Sequence, residues 1–372
     1  MQFTIPQETF LKALARVQGI VEKRNTIPIL SNVLIEASGN TISLIATDLE
    51  VGMKATYQAS VHDPGKITVS SKKLFEIIKE LPSSDVEFKA KENSWIEIRC
   101  DKAQFNIVGL SPDEFPYFPD SEELSFLPLD GDKLKNMIDK TSFAISTDET
   151  KYNLNGIFFK YTQEELNPLL RLVATDGHRL ALIQEKVEPA DFPQLSKGVI
   201  LPRKGVMELK KLIDESGEPL KIGFMENNAV IKKGQTVVVM RLVDGEFPDY
   251  NRVIPQTRDQ VAILERDDFL HALKRVSILS SERSRGIKLT FKDGFLDISS
   301  SNPDLGEARE EMEIDYKGPE ISIGFNSRYL IDIMQAIYEE KIAITFKDNL
   351  SPSLIEIPQK DDFMAVVMPM RL

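Results

Sequence analysis

The chain has 372 residues and a formal net charge of −12, with 46 Lys and Arg against 58 Asp and Glu. Its 42% hydrophobic and 28% charged content is ordinary for a globular protein, and the absence of a long unbroken apolar run excludes a membrane-spanning helix. The single cysteine, Cys100, excludes an internal disulfide and fits a reducing compartment. The opening MQFTIPQETF has no basic region followed by an apolar block, so no signal peptide and a cytoplasmic location are expected. The acidity by itself argues against a nucleic-acid partner. The Debye length at physiological salt is only about 8 Å, however, so an acidic protein can still carry one basic surface.

In chain order, QETFLKALARVQGIVEK predicts a first helix, with Phe10, Leu11, Leu14, Val17 and Val21 at helical spacing and Thr9 as a candidate cap. NVLIEAS and TISLIATD predict strands joined at Gly39-Asn40. LFEIIKELP predicts a second helix stopped by Pro82, and VEFKAKENSWIEIRC and AQFNIVGL predict alternating strands. Cys100, in that alternating run, reads as a buried or edge-strand thiol without signs of activation.

The pattern then recurs twice. Phe75 and Met207 stand 132 positions apart, as do Leu110 and Leu242, and Phe115 and Phe247. In the third copy Tyr329 is aligned with Met207, 122 positions on. Phe10 and Leu14 recur as Leu134 and Ile138, then as Phe269 and Leu273. Three α+β modules follow, each with antiparallel sheet and two helices. The expected domains are 1–122, 127–250 and 253–372. SPDEFPYFPDSEEL and DGEFPDYNRVIPQTRDQ separate them and, with their aromatic residues, read as docked connectors.

The six expected helices together carry +3 against −12 for the whole chain. Either these are ordinary charged helix faces or the helices share one basic surface while the sheets face outward.

Motifs for chemistry are weak. ATDGHRL places Asp176 two residues before His178, but ATDLEVG keeps only Asp48, so a turn closed by an Asx hydrogen bond is the expectation. His62, His178 and His271 are scattered and no zinc motif can be written. There is no phosphate-binding loop at Gly65-Lys66 and no GxSxG or GxGxxG. Asp304, Glu307, Glu310, Glu311 and Glu313 lack calcium-loop spacing and read as an acidic edge. The tail FMAVVMPMRL is apolar, which suits either a core strand or a methionine-rich groove.

The pieces TIPILSNVLI, ATDLE, YNLNG, VATDGHRLA, PRKGVMEL, LVDGEFPDY, RGIKL and MPMRL, in this order over effectively the whole chain, resemble the bacterial DNA polymerase III β-subunit family of sliding clamps. The resemblance implies three clamp domains per chain and a head-to-tail dimeric ring of six, with helices lining the hole and antiparallel sheets outside. It implies a non-catalytic processivity factor of DNA replication, without cofactor or metal, loaded by an ATP-dependent clamp loader. Its DNA contacts would fall on Arg24, Lys72 and Tyr152. Asn153 stands where relatives carry a second aromatic residue, and Asp148 where a neutral polar residue can contact DNA. Arg203 and Lys204 are added on charge and helix position.

A pocket between the second and third domains would take short peptide motifs from the polymerase α subunit, the clamp-loader δ subunit and other partners. It maps onto Leu154, Thr175, Gly177, His178, Arg179, Leu180, Pro248, Arg252 and Val253. The tail would add Val366, Met368, Pro369, Met370 and Arg371, and Asn326, Tyr329 and Leu350 would extend it. The homodimer seam would pair Ile278 and Leu279 with Phe105 and Ile107, and set Glu307 to Glu311 near Lys102. Competing readings are a hydrolase using Asp48, Asp176 and His178, and a scaffold that uses the same groove without DNA.

Overall fold

The structure is a computed structural model; it describes residues 1–21, 27–119, 121, 124–164, 167–187, 193–215, 217–255, 259–281 and 284–371. Seven α-helices occur among them: α1 (Gln7–Val17), α2 (Ser71–Glu80), α3 (Gly131–Asp139), α4 (Pro193–Lys197), α5 (Arg203–Ile213), α6 (Arg266–Val276) and α7 (Ser327–Ala336). None of the described helices is long and apolar enough to cross a membrane.

The chain forms two compact units, each assembled from two stretches: 1–131 with 204–242, and 132–203 with 243–372. Unit 1 carries one sheet of thirteen strands. Its core includes Phe3 stacked on Phe88 at 4.8 Å, with Phe10 of α1 edge-on to both. Phe10, Ala13, Leu14 and Val17 are all buried, and this apolar stripe sets α1 beside α2. Unit 2 carries sheets of eight and four strands. There α6 lies beside α7, with Phe269 and Leu273 buried in the same way.

Two local expectations are corrected. Thr9 lies inside the first turn of α1 and caps nothing; Pro6 holds the cap position without a side-chain bond. Strand Gln2–Pro6 runs directly into the helix, and the first free amide, Gln7 N–H, donates to Ser84 O at 3.0 Å. The helix ends at Val17, so Val21 is not part of it. The third repeat is also registered differently. Helices α5 and α7 begin 124 positions apart, which matches buried Val206 with Leu330 and Leu209 with Ile333. Tyr329 therefore sits two residues nearer its helix start than Met207 does.

Both connectors are docked. Phe115 and Phe118 pack on Ile29, Leu30, Leu34 and Ile45. Phe247 and Tyr250 pack on Val173, Leu180 and Leu182, with Phe247 stacked on Phe158 at 4.9 Å. Cys100 is buried, and burial pushes its thiol up, the inert state expected of it.

The sheets run through the repeat boundaries. In unit 1, strand Thr236–Arg241 pairs antiparallel with Val51–Gln58, setting Val238 opposite Met53. In unit 2, Phe363–Val367 pairs with Arg179–Lys186, setting Val366 opposite Leu180.

The glycine of YNLNG is required by such a pairing. A Cβ on Gly156 would lie 2.2 Å from the carbonyl oxygen of Leu201 on the facing strand. Gly156→Ala is expected to lower stability by about 2–3 kcal/mol in urea unfolding, because backbone, not a flexible side chain, must yield.

Buried Lys140 adds an electrostatic joint to unit 2. Its ammonium donates to Glu339 Oε1 at 3.1 Å, and Lys360 donates to the same oxygen at 2.9 Å. Burial pushes the Glu339 carboxyl up, but the hydrogen bonds from Lys360 and Lys140 outweigh it and hold the group down at about 2. A depressed carboxyl stabilises the fold above its ordinary value of 4.5, and this contribution is lost as pH falls toward 2. Glu339→Gln should flatten that part of the stability-versus-pH curve. At neutral pH it should cost about 3 kcal/mol by leaving the Lys140 ammonium without its counter-charge. Urea titrations of both proteins across this range check both effects.

Candidate functional site

Unit 2 contains an apolar recess of about 350 Å³. One wall begins at the ATDGHRL turn. Asp176 Oδ1 accepts from His178 N at 2.9 Å and Arg179 N at 3.0 Å, and Gly177 takes a φ of +92° to close the turn. Asp48 makes the same turn in unit 1, accepting from Glu50 N at 2.9 Å and Val51 N at 2.7 Å. The repeated ATD is thus a turn device, and neither aspartate is set up as an acid–base partner of His178.

Arg179 is held from every side. Its Nε donates to Asp176 Oδ2 at 3.1 Å, Nη1 to Asp332 Oδ2 at 2.7 Å and Nη2 to Phe143 O at 2.5 Å. Its guanidinium lies 4.6 Å from the Tyr329 ring centre, and that ring lies parallel to His178. The Arg179 side chain therefore forms a rigid buttress.

The adjoining wall is the tail. Val366 is buried beside Leu180, and Met368 N–H donates to His178 O at 2.9 Å, fixing the partly exposed Met368 at the rim.

Of the expected pocket residues, Leu154, Thr175, Gly177, His178, Arg179 and Leu180 line the recess, as do Pro248, Val253, Val366 and Met368. Lys151, Asp249 and Tyr250 also line it and were not expected. Tyr250 had a signal in the sequence, since it matches docked Phe118 at the connector spacing of 132. Seven expected residues do not line the recess. Arg252 is exposed and donates to Asp249 Oδ2 at 3.0 Å. Asn326 caps α7 by accepting from Arg328 N at 3.0 Å. Tyr329 lies behind His178, and Leu350 is exposed on a turn closed by Asp348. After Met368 the chain crosses to another sheet. Met370 N–H donates to Gly324 O at 2.9 Å, and Met370 and Arg371 line a separate depression with Lys288 and Arg309, while Pro369 is half-buried at the crossing.

The residues expected at DNA are dispersed in role. Arg24 lies outside the described residues. Lys72 is exposed in the first turn of α2, and Tyr152 is exposed. Asn153 donates its side-chain amide to Glu246 O at 3.0 Å. Asp148 accepts from the Thr150 hydroxyl at 2.7 Å and its amide at 3.0 Å, which hold its carboxyl below the usual range. It is thus an anion closing a turn. Arg203 is exposed at the start of α5. Lys204 is committed within the fold: its ammonium pairs with the buried carboxylate of Asp48 and donates to Ile20 O at 2.8 Å. Position and charge do not reveal this, because Asp48 is 156 residues away.

Of the expected seam residues, Ile278 is 73% exposed and Leu279 half-buried on the single turn after α6; Phe105 is 37% exposed and Ile107 half-buried on strand Ala103–Leu110. Lys102 is exposed. Within the acidic strand Gly306–Glu313, Glu310 is taken by Arg275, which donates to it at 2.9 and 2.5 Å.

Repeated modules of helix and antiparallel sheet, with an apolar groove walled by the chain's own tail, define a docking protein of the DNA-clamp class. Three family descriptions match: DNA polymerase III beta subunit N-terminal domain at residues 1–119, central domain at 128–249 and C-terminal domain at 251–371. The beta sliding clamp of Caulobacter vibrioides is 38% identical and that of Escherichia coli K12 36%, each match covering 100% of both chains. Among solved structures, a Caulobacter crescentus beta sliding clamp with bound PEG and a Bartonella birtlesii sliding clamp bound to griselimycin each superpose with a TM-score of 0.94, at 38% identity over 100% of both chains. The chain belongs to the DNA polymerase III beta-subunit family, the non-catalytic sliding clamps that serve as processivity factors in bacterial DNA replication.

Proposed function

We propose that two copies of this chain close head to tail into a ring around duplex DNA and tether the replicative polymerase through the recess of unit 2. The observation that carries the peptide role is the recess itself. It is apolar, rigidly buttressed by Arg179 and rimmed by Met368 and Val253, which suits short peptide motifs such as those of the polymerase α subunit and the clamp-loader δ subunit. Relatives solved with griselimycin and with PEG support a groove that accepts ligands.

Ring closure is supported by two open strand edges. Strand Ala103–Leu110 pairs along its length with Trp95–Cys100, but meets Gly65–Ser70 only at Gly109 and Leu110. Strand Gly306–Glu313 is the outer strand of its four-stranded sheet. Two unlike edges on one chain are what a heterologous, closing contact requires. In this reading the domains are 1–122, 127–250 and 253–372, the helices line the hole, and the ring works in the cytoplasm.

A ring that slides should touch phosphates and not read bases. Lys72, Tyr152 and Arg203 are the described candidates for such contacts, and Arg24, outside the described residues, is a fourth; Lys204 holds α5 in place. Affinity for DNA then comes from enclosure, and the tether raises the polymerase's local concentration. Loaded by its ATP-dependent loader onto nicked circular DNA, the protein should stay bound through gel filtration and come off when the circle is linearised. Equal retention on both forms would refute enclosure and leave the scaffold reading.

A further inference from the structure

Unit 1 carries a second recess, of about 680 Å³, which the proposed clamp role does not use. The repeat explains why it is open. Strands Thr41–Thr47 and Val51–Gln58 match Asn167–Thr175 and Arg179–Lys186 at a constant spacing of 128, the spacing of the two ATD turns. In unit 2 the cross-strand pair Arg171 and Gln184 spans this face. Arg171 Nη2 donates to Gln184 Oε1 at 2.7 Å, and Nη1 to the Tyr250 hydroxyl at 3.4 Å. The matching cross-strand pair in unit 1 is Ser43 and Thr56, whose hydroxyls bond each other at 2.8 Å. Two short side chains stand where two long ones fill the other unit, leaving a trench beside the Phe115–Phe118 connector.

The trench has an apolar floor and a cationic rim. Leu34, Ile45 and Val237 belong to its lining; Lys54 and Lys66 flank a single carboxylate, Glu36, and Lys232 stands two strands beyond Lys54, in line with it through Val237. That carboxylate is already shared, 2.5 Å from Lys66 Nζ and 3.7 Å from Lys54 Nζ. Lys232 has no carboxylate partner among the described residues and is directly opposite Lys221 across the strands, where like charges repel. Three ammonium groups against one carboxylate is an excess of positive charge on a chain of −12.

We propose that this trench docks an acidic peptide segment of a partner protein, with its carboxylates taken by Lys54, Lys66 and Lys232 and a neighbouring apolar side chain seated on half-buried Val237. The lysines are strung across neighbouring strands as compact point charges, a row that an extended peptide can follow. A single nucleic-acid strand would want successive stacking rings beside such a row of cations. Tyr117, 83% exposed, is the single strongly exposed aromatic ring among the lining residues. The two units would thereby select different peptides, apolar in one and acidic in the other.

The test is fluorescence anisotropy on the full chain with three labelled probes: a short peptide of alternating aspartate and leucine, the same peptide with asparagine, and an oligothymidylate. The connector's own acids, Asp120, Glu122 and Glu123, lie outside the described residues, so the titrations are repeated on a variant with those three neutralised. The aspartate peptide should bind at least one of the two proteins and outcompete its asparagine counterpart. Lys66→Glu with Lys232→Glu should weaken it about tenfold or more. Ser43→Arg with Thr56→Gln, which transplants the filling pair of unit 2, should do the same, while Met368→Glu should leave it unchanged. Silence of the aspartate peptide on both proteins, equal binding of the asparagine form, preference for oligothymidylate, or loss with Met368→Glu would each overturn the proposal.

Discussion

Replacing Val253 and Met368 together with glutamate is expected to abolish capture of clamp-binding peptides, weakening the Kd by more than about a hundredfold. Both residues rim the unit 2 recess, at 42% and 38% exposure, so neither substitution buries a charge in the core of the free protein. The charge becomes expensive only when a peptide covers it. A desolvated carboxylate without a partner then opposes binding by several kcal/mol. Asp249, also in the lining, adds like-charge repulsion. Thermal unfolding should be nearly unchanged. An isothermal titration with a peptide from a polymerase α subunit, showing affinity within threefold of the parent on the order-of-magnitude scale of interface neutrality, would remove the recess from the proposed function.

Breaking the seam should be as decisive. Ile278→Ala with Leu279→Asp is expected to turn the dimer into monomers in sedimentation equilibrium. Ile278 is 73% exposed in the single chain, an unusual position for a large apolar residue unless another surface covers it. Burial of such a side chain is worth about 1.5–3 kcal/mol, and a ring contains two seams, so the loss counts twice. In the proposed seam the aspartate adds a charge where Leu279 would meet the apolar Phe105 and Ile107. Retention on nicked circles should vanish along with the dimer, while peptide binding in unit 2 persists. An unchanged dimer would overturn the seam.

Much of this was legible in the sequence because it is written in short-range patterns. Strands 32–38 and 103–110 have the bounds that their alternation predicts. The aromatic connectors dock because a buried Phe115 and Tyr250 gain more by covering an apolar sheet face than by remaining in water. The ATD turns follow from one side chain's reach to amides two and three residues on.

What was illegible depends on distant partners. Nothing local to Lys204 reveals the buried Asp48 that neutralises it. The helical pattern of residues 7–23 continues past Val17, but the first turn is satisfied by Ser84 O and the helix stops where α2 meets it, with Gln18 donating to the Ser71 hydroxyl at 2.9 Å. Met370 and Arg371 share the tail's composition with Met368, yet a bond to Gly324 O carries them elsewhere. The trench of unit 1 was equally hidden, because an absence of bulk at Ser43 and Thr56 has meaning only beside Arg171 and Gln184.

The pairing of Thr236–Arg241 with Val51–Gln58 bears on how the chain emerges from the ribosome. The amino-terminal third cannot finish its sheet when its own residues are out; it must wait with an unzipped border until position 241 has been translated. During that interval the nascent polypeptide presents a raw β margin to its crowded surroundings. A chain stalled between residues 122 and 236 would keep that margin unpaired.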